Sequence, residues 1–191
     1  MPRPCFDHFR FIAPLYDRFA SVLEIDTLVD LLALPVQGLL LDVGGGTGRV
    51  ADHLRARTGG VVVADASRGM LRQTRAKESL HAVNALAEAL PFPNGQFERI
   101  LIMDAFHHFH DHAQAVRELW RVLKPGGRLV MEEPNIEHSL VKLVAFGEKL
   151  LLMRSRFFPA ETMQQMFELY GAQVTLNLDD PLEIRLIADK P

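Results

Sequence analysis

The stretch LLLDVGGGTGRV, residues 39–50, constrains the fold of this chain more than any other part of the sequence. An apolar run of strand type reaches Asp42, four glycines follow within five positions, and apolar spacing typical of a helix begins directly afterwards. Glycines let a loop turn tightly and bring bare backbone close to a ligand. The stretch therefore predicts a strand, a glycine loop and a helix around a binding site.

The same alternation continues along the chain. Strand patterns follow in VVVAD, HAVNAL, ERILIMD and RLVMEE, with helical spacing in SRGMLRQTRAKESL and HAQAVRELWRVL and a KPGG turn before RLVMEE. Strands that alternate with helices predict a parallel sheet with helices on both faces, a doubly wound α/β fold. Nearer the end, QVTLNL and EIRLIA are separated by a few polar residues and predict an antiparallel pair.

Length and hydrophobic spacing predict how the chain is organised. The 191 residues suit a single domain, residues 1–191, and residues 1–35 predict an N-terminal helical segment that Pro35 closes. The stretch SLVKLVAFGEKLLLMRSRFF, within residues 136–160, carries apolar residues on more than one helix face with basic residues among them. We interpret residues 136–160 as a cover over an apolar substrate cavity or as a helix in peripheral contact with a membrane, and a core helix fits about as well.

Composition narrows the classes of partner and compartment. A formal net charge of -3 and the lack of a dense Lys/Arg block argue against nucleic-acid binding. Cys5 is the sole cysteine, the N-terminus lacks the apolar core of a signal peptide, and no apolar run reaches the roughly 18 residues of a membrane span. We therefore expect a cytoplasmic protein. The sequence does not indicate which oligomeric state the protein adopts.

The glycine spacing separates classes of nucleotide site. In a dinucleotide G-x-G-x-x-G motif counted from Gly44, the third glycine falls on Arg49. Counted from Gly46, the second falls on Gly48 and the third on Ala51, a tolerated residue. No Gly-Lys-Ser/Thr of a P-loop follows the loop. Asp42 beside the loop repels phosphate and suits a cationic or amine-bearing ligand. Asp65 ends the second strand, and a carboxylate there can accept hydrogen bonds from both hydroxyls of a ribose.

Five motifs in succession carry a family resemblance: LLLDVGGGTGRV, VVVADASRGML, EALPFPNGQFERI, FHHFHD and LWRVLKPGGRLVMEEP. Together they resemble class I S-adenosylmethionine-dependent methyltransferases, and most of all the ubiquinone/menaquinone biosynthesis methyltransferase type. FIAPLYDRF is also similar to the N-terminal segment of that group. The resemblance implies a Rossmann-like, mostly parallel seven-stranded sheet with a C-terminal antiparallel strand, and S-adenosylmethionine as the cofactor.

The resemblance also implies roles for individual residues. Asp42 and the backbone of the glycine loop would hold the methionine part of the cofactor, Asp65 the ribose, and Ala66 and Met70 the adenine. Leu86 stands where the family's aspartate accepts a hydrogen bond from the adenine amino group. Glu88 points to the same side as Leu86 if this stretch stays extended. The full set of expected cofactor residues is Asp42, Gly44, Gly46, Gly48, Asp65, Ala66, Met70, Ala87, Glu88, Asp104 and Tyr16.

Four histidines in seven positions, within FHHFHDH, follow the strand ERILIMD. The run lacks thiolates and a helical H-x-x-x-H pair, so we expect no metal site. By resemblance, His107 and His108 lie beside the cofactor and are the catalytic candidates, and His108 with an ordinary pKa near 6.5 suits a base. Histidines that only pack or cap the next helix fit the pattern equally well.

The motifs together predict a function. We expect a methyltransferase that transfers the methyl group of S-adenosylmethionine in line to a small apolar or aromatic acceptor, with a quinone precursor as the first candidate. One alternative is methylation of another small molecule at oxygen or nitrogen. The other is a non-catalytic cofactor-binding or regulatory protein of the same fold.

Overall fold

The computed structural model describes residues 25–139, 141–142 and 155–191. The predicted N-terminal helical segment is described only from Ile25, where helix α1 (Ile25–Leu31) begins. Most of the expected cover segment and its membrane contact lie outside the described residues. The other described helices are α2 (Arg49–Leu54), α3 (Arg68–Thr74), α4 (His112–Val122) and α5 (Ala160–Glu168), with single 3-10 turns at Arg55–Arg57 and Phe106–His108.

Among the described residues, seven strands form one sheet in the order β3-β2-β1-β4-β5-β7-β6. The first five strands are mutually parallel, and β7 is antiparallel to both β5 and β6. The predicted doubly wound α/β sheet with a C-terminal antiparallel strand is therefore confirmed. The strands are β1 (Leu39–Val43), β2 (Gly60–Asp65), β3 (Leu80–Asn84), β4 (Phe97–Met103), β5 (Leu123–Pro134), β6 (Gln173–Asn177) and β7 (Glu183–Asp189).

Helices cover both faces of this sheet. On one face, α1, α2 and α3 bury Leu28, Leu54 and Leu71 against side chains of β1 and β2. On the other face, α4 and α5 bury Leu119 and Phe167 in a separate core cluster. Central strands buried from both sides must be apolar throughout, which explains the unbroken hydrophobic runs that predict them.

Two predicted elements differ in extent from the structure. The KPGG residues 124–127 do not precede the strand but form a bulge inside β5, because Phe97 of β4 pairs with Leu123 while Arg99 pairs with Arg128. The helix predicted over residues 67–80 ends at Thr74. The remaining residues of that stretch are a turn and the start of β3, where Leu80 is buried.

The strand order places the candidate site. From β1 the chain continues to β2 and β3 on one side of the sheet, and from β4 it continues to β5 on the other side. β1 and β4 are therefore the neighbours between which the strand order reverses, the topological switch point of the sheet. Loops that leave the carboxyl ends of strands at such a point diverge and leave a crevice for ligands. The glycine loop after β1 and the histidine-rich stretch after β4 therefore lie side by side at this edge.

Candidate functional site

The glycines of the loop have different tasks. A Cβ on Gly44 would collide with the Cβ of Ala105, and one on Gly48 would lie 2.9 Å from Leu80 Cδ1 and 3.0 Å from Thr74 Cγ2. These two glycines are required by packing within the protein. Gly46 has φ of +55°, and among the described residues a Cβ there would meet no atom closer than the sulfur of Met70 at 3.9 Å. Packing among the described residues therefore does not require a glycine at position 46, although its positive φ favours one.

Asp42 lies under this loop, within β1 rather than after it. Its side chain is buried against Gly45, and its Oδ2 has no hydrogen-bond partner among the described residues. Burial, and to a lesser degree the charge of Asp65, raises the pKa of Asp42 to about 7, while Lys77 acts in the opposite direction. A buried acceptor without a donor is costly, so this position fits a ligand that brings a cationic donor.

Asp65, at the end of β2, is connected to the glycine loop. Its Oδ2 accepts a hydrogen bond from the Gly46 amide at 2.9 Å, and its Oδ1 accepts one from the Ser67 amide at 2.6 Å. Ser67 in turn caps α3 by accepting from the Met70 amide at 3.2 Å. The structure thus brings Asp42, the glycine loop, Asp65 and Met70 together, as the sequence predicts.

The residues expected around the adenine lie next to the end of β2. The Ala85 amide donates to the Asp65 carbonyl at 3.2 Å. Ala66 is exposed, Ala87 is buried, and Leu86 is 49% exposed. The stretch is not extended, because the Ala89 amide donates to the Leu86 carbonyl at 3.1 Å and closes a turn. The condition that would place Glu88 on the same side as Leu86 is therefore not met.

Glu88 instead joins two loops. Its Oε1 accepts hydrogen bonds from the amides of His110 at 2.6 Å and Asp111 at 3.1 Å, directly before α4. The side-chain amide of Gln114 donates to the Glu88 carbonyl at 3.2 Å. Glu88 therefore positions the chain that leads into α4, and its assignment to the cofactor stays a prediction.

Asp104 follows β4 in a backbone conformation that is rare for a residue other than glycine, with φ of +48°. Such conformations cost energy and concentrate at functional sites. Part of the Asp104 residue surface is exposed, but the protein around its carboxyl group displaces water. This desolvation, together with the charge of Glu133, raises the pKa of Asp104 to about 6. Its place at the carboxyl edge agrees with the expected site, and a contact with the cofactor stays a prediction.

Glu133 organises the turn that carries the two candidate histidines. Its carboxylate accepts hydrogen bonds from the amides of Ala105 at 2.9 Å, Phe106 at 2.7 Å and His107 at 3.3 Å. Its Oε2 also lies 2.6 Å from His107 Nδ1. Both side chains are buried. Sequence reasoning missed Glu133, although a second glutamate at the end of the strand RLVMEE was an available signal.

His107 and His108 sit differently on this turn. The His107 ring stacks on Phe157, with ring centroids 4.5 Å apart, and its carbonyl accepts from the Arg156 amide at 2.7 Å. His108 is partly exposed, and its Nδ1 lies 3.2 Å from Ser155 Oγ. Burial, with the nearby His107 as a smaller cause, lowers the pKa of His108 to about 3. The expectation of an ordinary pKa near 6.5 is therefore wrong.

The other two histidines of the run, His110 and His112, differ from each other in burial. His110 is exposed, whereas His112 is buried with ring contacts to Phe106 at 4.9 Å and Phe158 at 4.6 Å. In the part of the chain that the structure describes, no group of three or more His, Cys, Asp or Glu is arranged to hold a metal ion. Tyr16, the remaining expected cofactor residue, lies outside the described residues.

Two residues that sequence reasoning missed donate hydrogen bonds to backbone carbonyls of the glycine loop. Thr74, at the end of α3, donates from its hydroxyl to the Gly46 carbonyl at 2.7 Å. Lys77 donates from Nζ to the Thr47 carbonyl at 2.9 Å. No local sequence signal distinguishes them, because both contacts join positions at least 28 residues apart.

A separate surface cavity of about 360 Å³ lies near the amino end of β5, at the edge away from the glycine loop. It is bordered by Asp30, Arg128 and Asp189, of which the last two form an ion pair at 2.7 Å. We place the candidate site at the carboxyl edge instead. The buried Asp42 Oδ2, without a hydrogen-bond partner among the described residues, lies there, as does Gly46, where a Cβ would meet no described atom closer than 3.9 Å. Within the described residues, no helix is long and apolar enough to cross a membrane.

Comparisons with known proteins agree with this geometry. A family model described as "Methyltransferase domain" matches residues 41–131, from β1 into β5. The demethylmenaquinone methyltransferase of Thermus thermophilus is 38% identical and is covered over 73% of its length by 74% of this chain. The ubiquinone/menaquinone biosynthesis C-methyltransferase of Shewanella frigidimarina is 33% identical, and the chain spans 62% of its length, less than two thirds.

Solved structures show the same fold. An S-adenosylmethionine-dependent methyltransferase of Thermotoga maritima, titled a possible histamine N-methyltransferase, superposes with a TM-score of 0.78 at 22% identity. The match covers 96% of this chain and 98% of that one. The residues that surround the glycine loop fit the cofactor of such enzymes, since Asp42 offers an unpartnered acceptor and Gly46 a bare backbone. The chain therefore belongs to the family of S-adenosylmethionine-dependent methyltransferases that includes the demethylmenaquinone and ubiquinone/menaquinone biosynthesis enzymes.

Proposed function

We propose that this methyltransferase acts on a small aromatic or apolar acceptor, with a quinone precursor in its reduced form as the first candidate, and methylates a ring carbon. The observation that carries the proposal is the 38% identity to a protein named demethylmenaquinone methyltransferase. The name of the second relative specifies a C-methyltransferase. The site residues are proposed with it: the expected cofactor set, and His107 and His108 next to the acceptor.

Aromatic side chains beside the glycine loop support an apolar, planar acceptor. Ala105 and Phe109 lie next to Gly44. A Cβ built on Gly44 would collide with Ala105 and would lie 3.9 Å from Phe109 Cε1. The rings of His107 and His108 are 4.0 Å apart, and Phe157 stacks on His107. This turn therefore places aromatic rings at the edge of the cofactor site, which can pack against a flat aromatic acceptor.

The neutral state of His108 suits it to accept the proton that methyl transfer to a ring carbon releases. When bound, S-adenosylmethionine supplies a methyl group on a positively charged sulfur that leaves with the bonding electron pair. The attacking ring carbon then carries a proton that is strongly acidic, and a neutral histidine with a pKa of about 3 can take it.

The test begins with the cofactor. We expect calorimetric titration to show binding of S-adenosylmethionine and of its demethylated product, and Asp65→Ala to weaken it more than about tenfold because a charged acceptor is lost. Unchanged affinity in Asp65→Ala would remove that residue from the site.

The second step identifies the acceptor. The protein is incubated with S-adenosylmethionine and a short-chain demethylmenaquinol, a substituted phenol or an aromatic amine, and the product is located by mass spectrometry. We expect a methyl group on the ring carbon of the quinol. A methyl group on oxygen or nitrogen would refute the carbon assignment. Cofactor binding without transfer to any acceptor would favour the non-catalytic binding protein.

A further inference from the structure

Thr74 makes an unusual contact for a threonine at the end of a helix. It is the last residue of α3 and is fully buried. Helical threonines commonly hydrogen-bond to the carbonyl four residues earlier in the same helix. The Thr74 hydroxyl instead donates at 2.7 Å to the carbonyl of Gly46, 28 positions away in the chain. The end of α3 is thereby tied to the glycine loop.

This contact completes a two-sided grip on Gly46. The peptide on its amino side is held through its N–H by Asp65 Oδ2 at 2.9 Å, and the peptide on its carboxyl side through its C=O by Thr74. Lys77 holds the next carbonyl, that of Thr47, at 2.9 Å. Three consecutive peptide groups are therefore held by side chains. The nearest described atom to a Cβ on Gly46 would be the Met70 sulfur at 3.9 Å, so the described residues do not crowd this position.

We propose that Thr74 is a positioning residue for S-adenosylmethionine, whose hydroxyl fixes the glycine loop in its binding conformation before the cofactor arrives. The proposal rests on the assignment of the cofactor to this loop. Gly46 has φ of +55° and no side chain, so the chain at this point has wide conformational freedom unless its flanking peptides are held. A loop that is already ordered loses less entropy on binding, and the ligand therefore binds more tightly.

Thr74 also packs against the loop, and the test must separate this contact from the hydrogen bond. Its Cγ2 lies 3.0 Å from the position of a Gly48 Cβ. Thr74→Val keeps the branched shape and removes the hydroxyl. Thr74→Ser keeps the hydroxyl and removes the methyl group. A second pair, Thr74→Ser against Thr74→Ala, differs in the hydroxyl alone and serves if the valine variant does not fold.

The experiment measures dissociation constants for S-adenosylmethionine and its demethylated product by calorimetry, with thermal unfolding of each variant. We expect Thr74→Val and Thr74→Ala to weaken binding roughly three- to tenfold, because cofactor binding must then supply the free energy with which the hydrogen bond orders the loop. Thr74→Ser should stay within about twofold of the wild type. In steady-state assays KM for the cofactor should rise while kcat at saturation is unchanged. Val122→Ala, a buried change at the far end of α4, should lower the melting temperature without changing affinity.

The outcomes separate the role of Thr74 from the assignment of the site. If the wild type binds and the variants without the hydroxyl bind equally well, the positioning role is refuted while the cofactor site stands. Equal weakening in Thr74→Ser and Thr74→Val would show that packing, not the hydroxyl, matters, and would also refute it. If the wild type binds no S-adenosylmethionine, the assignment of the cofactor to the loop is refuted, and the role of Thr74 with it.

Discussion

Replacement of Asp42 by Asn should remove one contribution to the pH dependence of the free energy of unfolding. Asp42 is buried with an unpartnered Oδ2, and its pKa is raised from the ordinary 3.8 to about 7, chiefly by burial. A shift of about 3 units corresponds to about 4 kcal/mol, which is the free energy that ionisation of this carboxyl costs the folded protein. An Asn side chain has almost the same shape and cannot ionise.

The sign follows from proton binding. Between pH 3.8 and about 7 the folded state holds a proton on Asp42 that the unfolded state has lost, so the free energy of unfolding falls as pH rises through this window. The asparagine variant lacks this contribution. We therefore expect Asp42→Asn to match the wild type in stability near pH 4 and to exceed it by about 4 kcal/mol near pH 8.

Urea unfolding of both proteins at several pH values across this window measures the effect. Other titrating groups are shared, so they largely cancel in the difference between the two curves. Stability curves that run parallel from about pH 4 to pH 8 would refute the reasoning. A second measurement concerns function: the more stable variant should bind S-adenosylmethionine less well, because it offers no negative charge to the cationic part of the ligand.

Three further substitutions test the site. Gly46→Val should abolish cofactor binding in a folded protein, whereas Gly171→Val, at a similar positive φ of +79° with open space around it, should leave binding intact; circular dichroism and calorimetry check both, and normal binding by Gly46→Val would contradict the assignment. Leu86→Asp should tighten the cofactor by about 0.5–1.5 kcal/mol without loss of stability, since this half-exposed position keeps a carboxylate hydrated; weaker binding in calorimetry would indicate an apolar adenine wall. Glu133→Gln should lower the free energy of unfolding by roughly 2–4 kcal/mol in urea titrations, because an amide cannot accept from all the donors around it, while exposed Glu137→Gln should change nothing; equal stability of the two variants would argue against the role of Glu133.

The fold was largely predictable because its signals are local. Buried parallel strands must be apolar along their length, and each is followed by a helix with its own spacing, so the order of elements can be read from the sequence. The glycine loop and Asp65 also lie at fixed places in this alternation. The bulge at residues 124–127 was not predictable, since it depends on the register of β4 against β5.

The site was predictable only in part, for the same physical reason. Asp42 and Gly46 can be identified from the sequence, because an aspartate and a glycine cluster follow an apolar run. Glu133 and Thr74 act through contacts across 28 or so positions, which no spacing rule encodes. The low pKa of His108 likewise arises from burial by neighbours in the fold, which sequence cannot supply.

The position of β7 has a consequence for synthesis on the ribosome. β6 is made before β7, yet among the described strands β6 pairs with β7 alone, and β7 separates it from β5. Until residue 189 has left the exit tunnel, β5 presents an open, apolar edge and β6 has no partner strand. Unpaired edges of this kind recruit other chains. A nascent or truncated chain that ends before Glu183 should therefore need a chaperone to stay in solution, whereas a chain that includes β7 closes this edge of β5 itself.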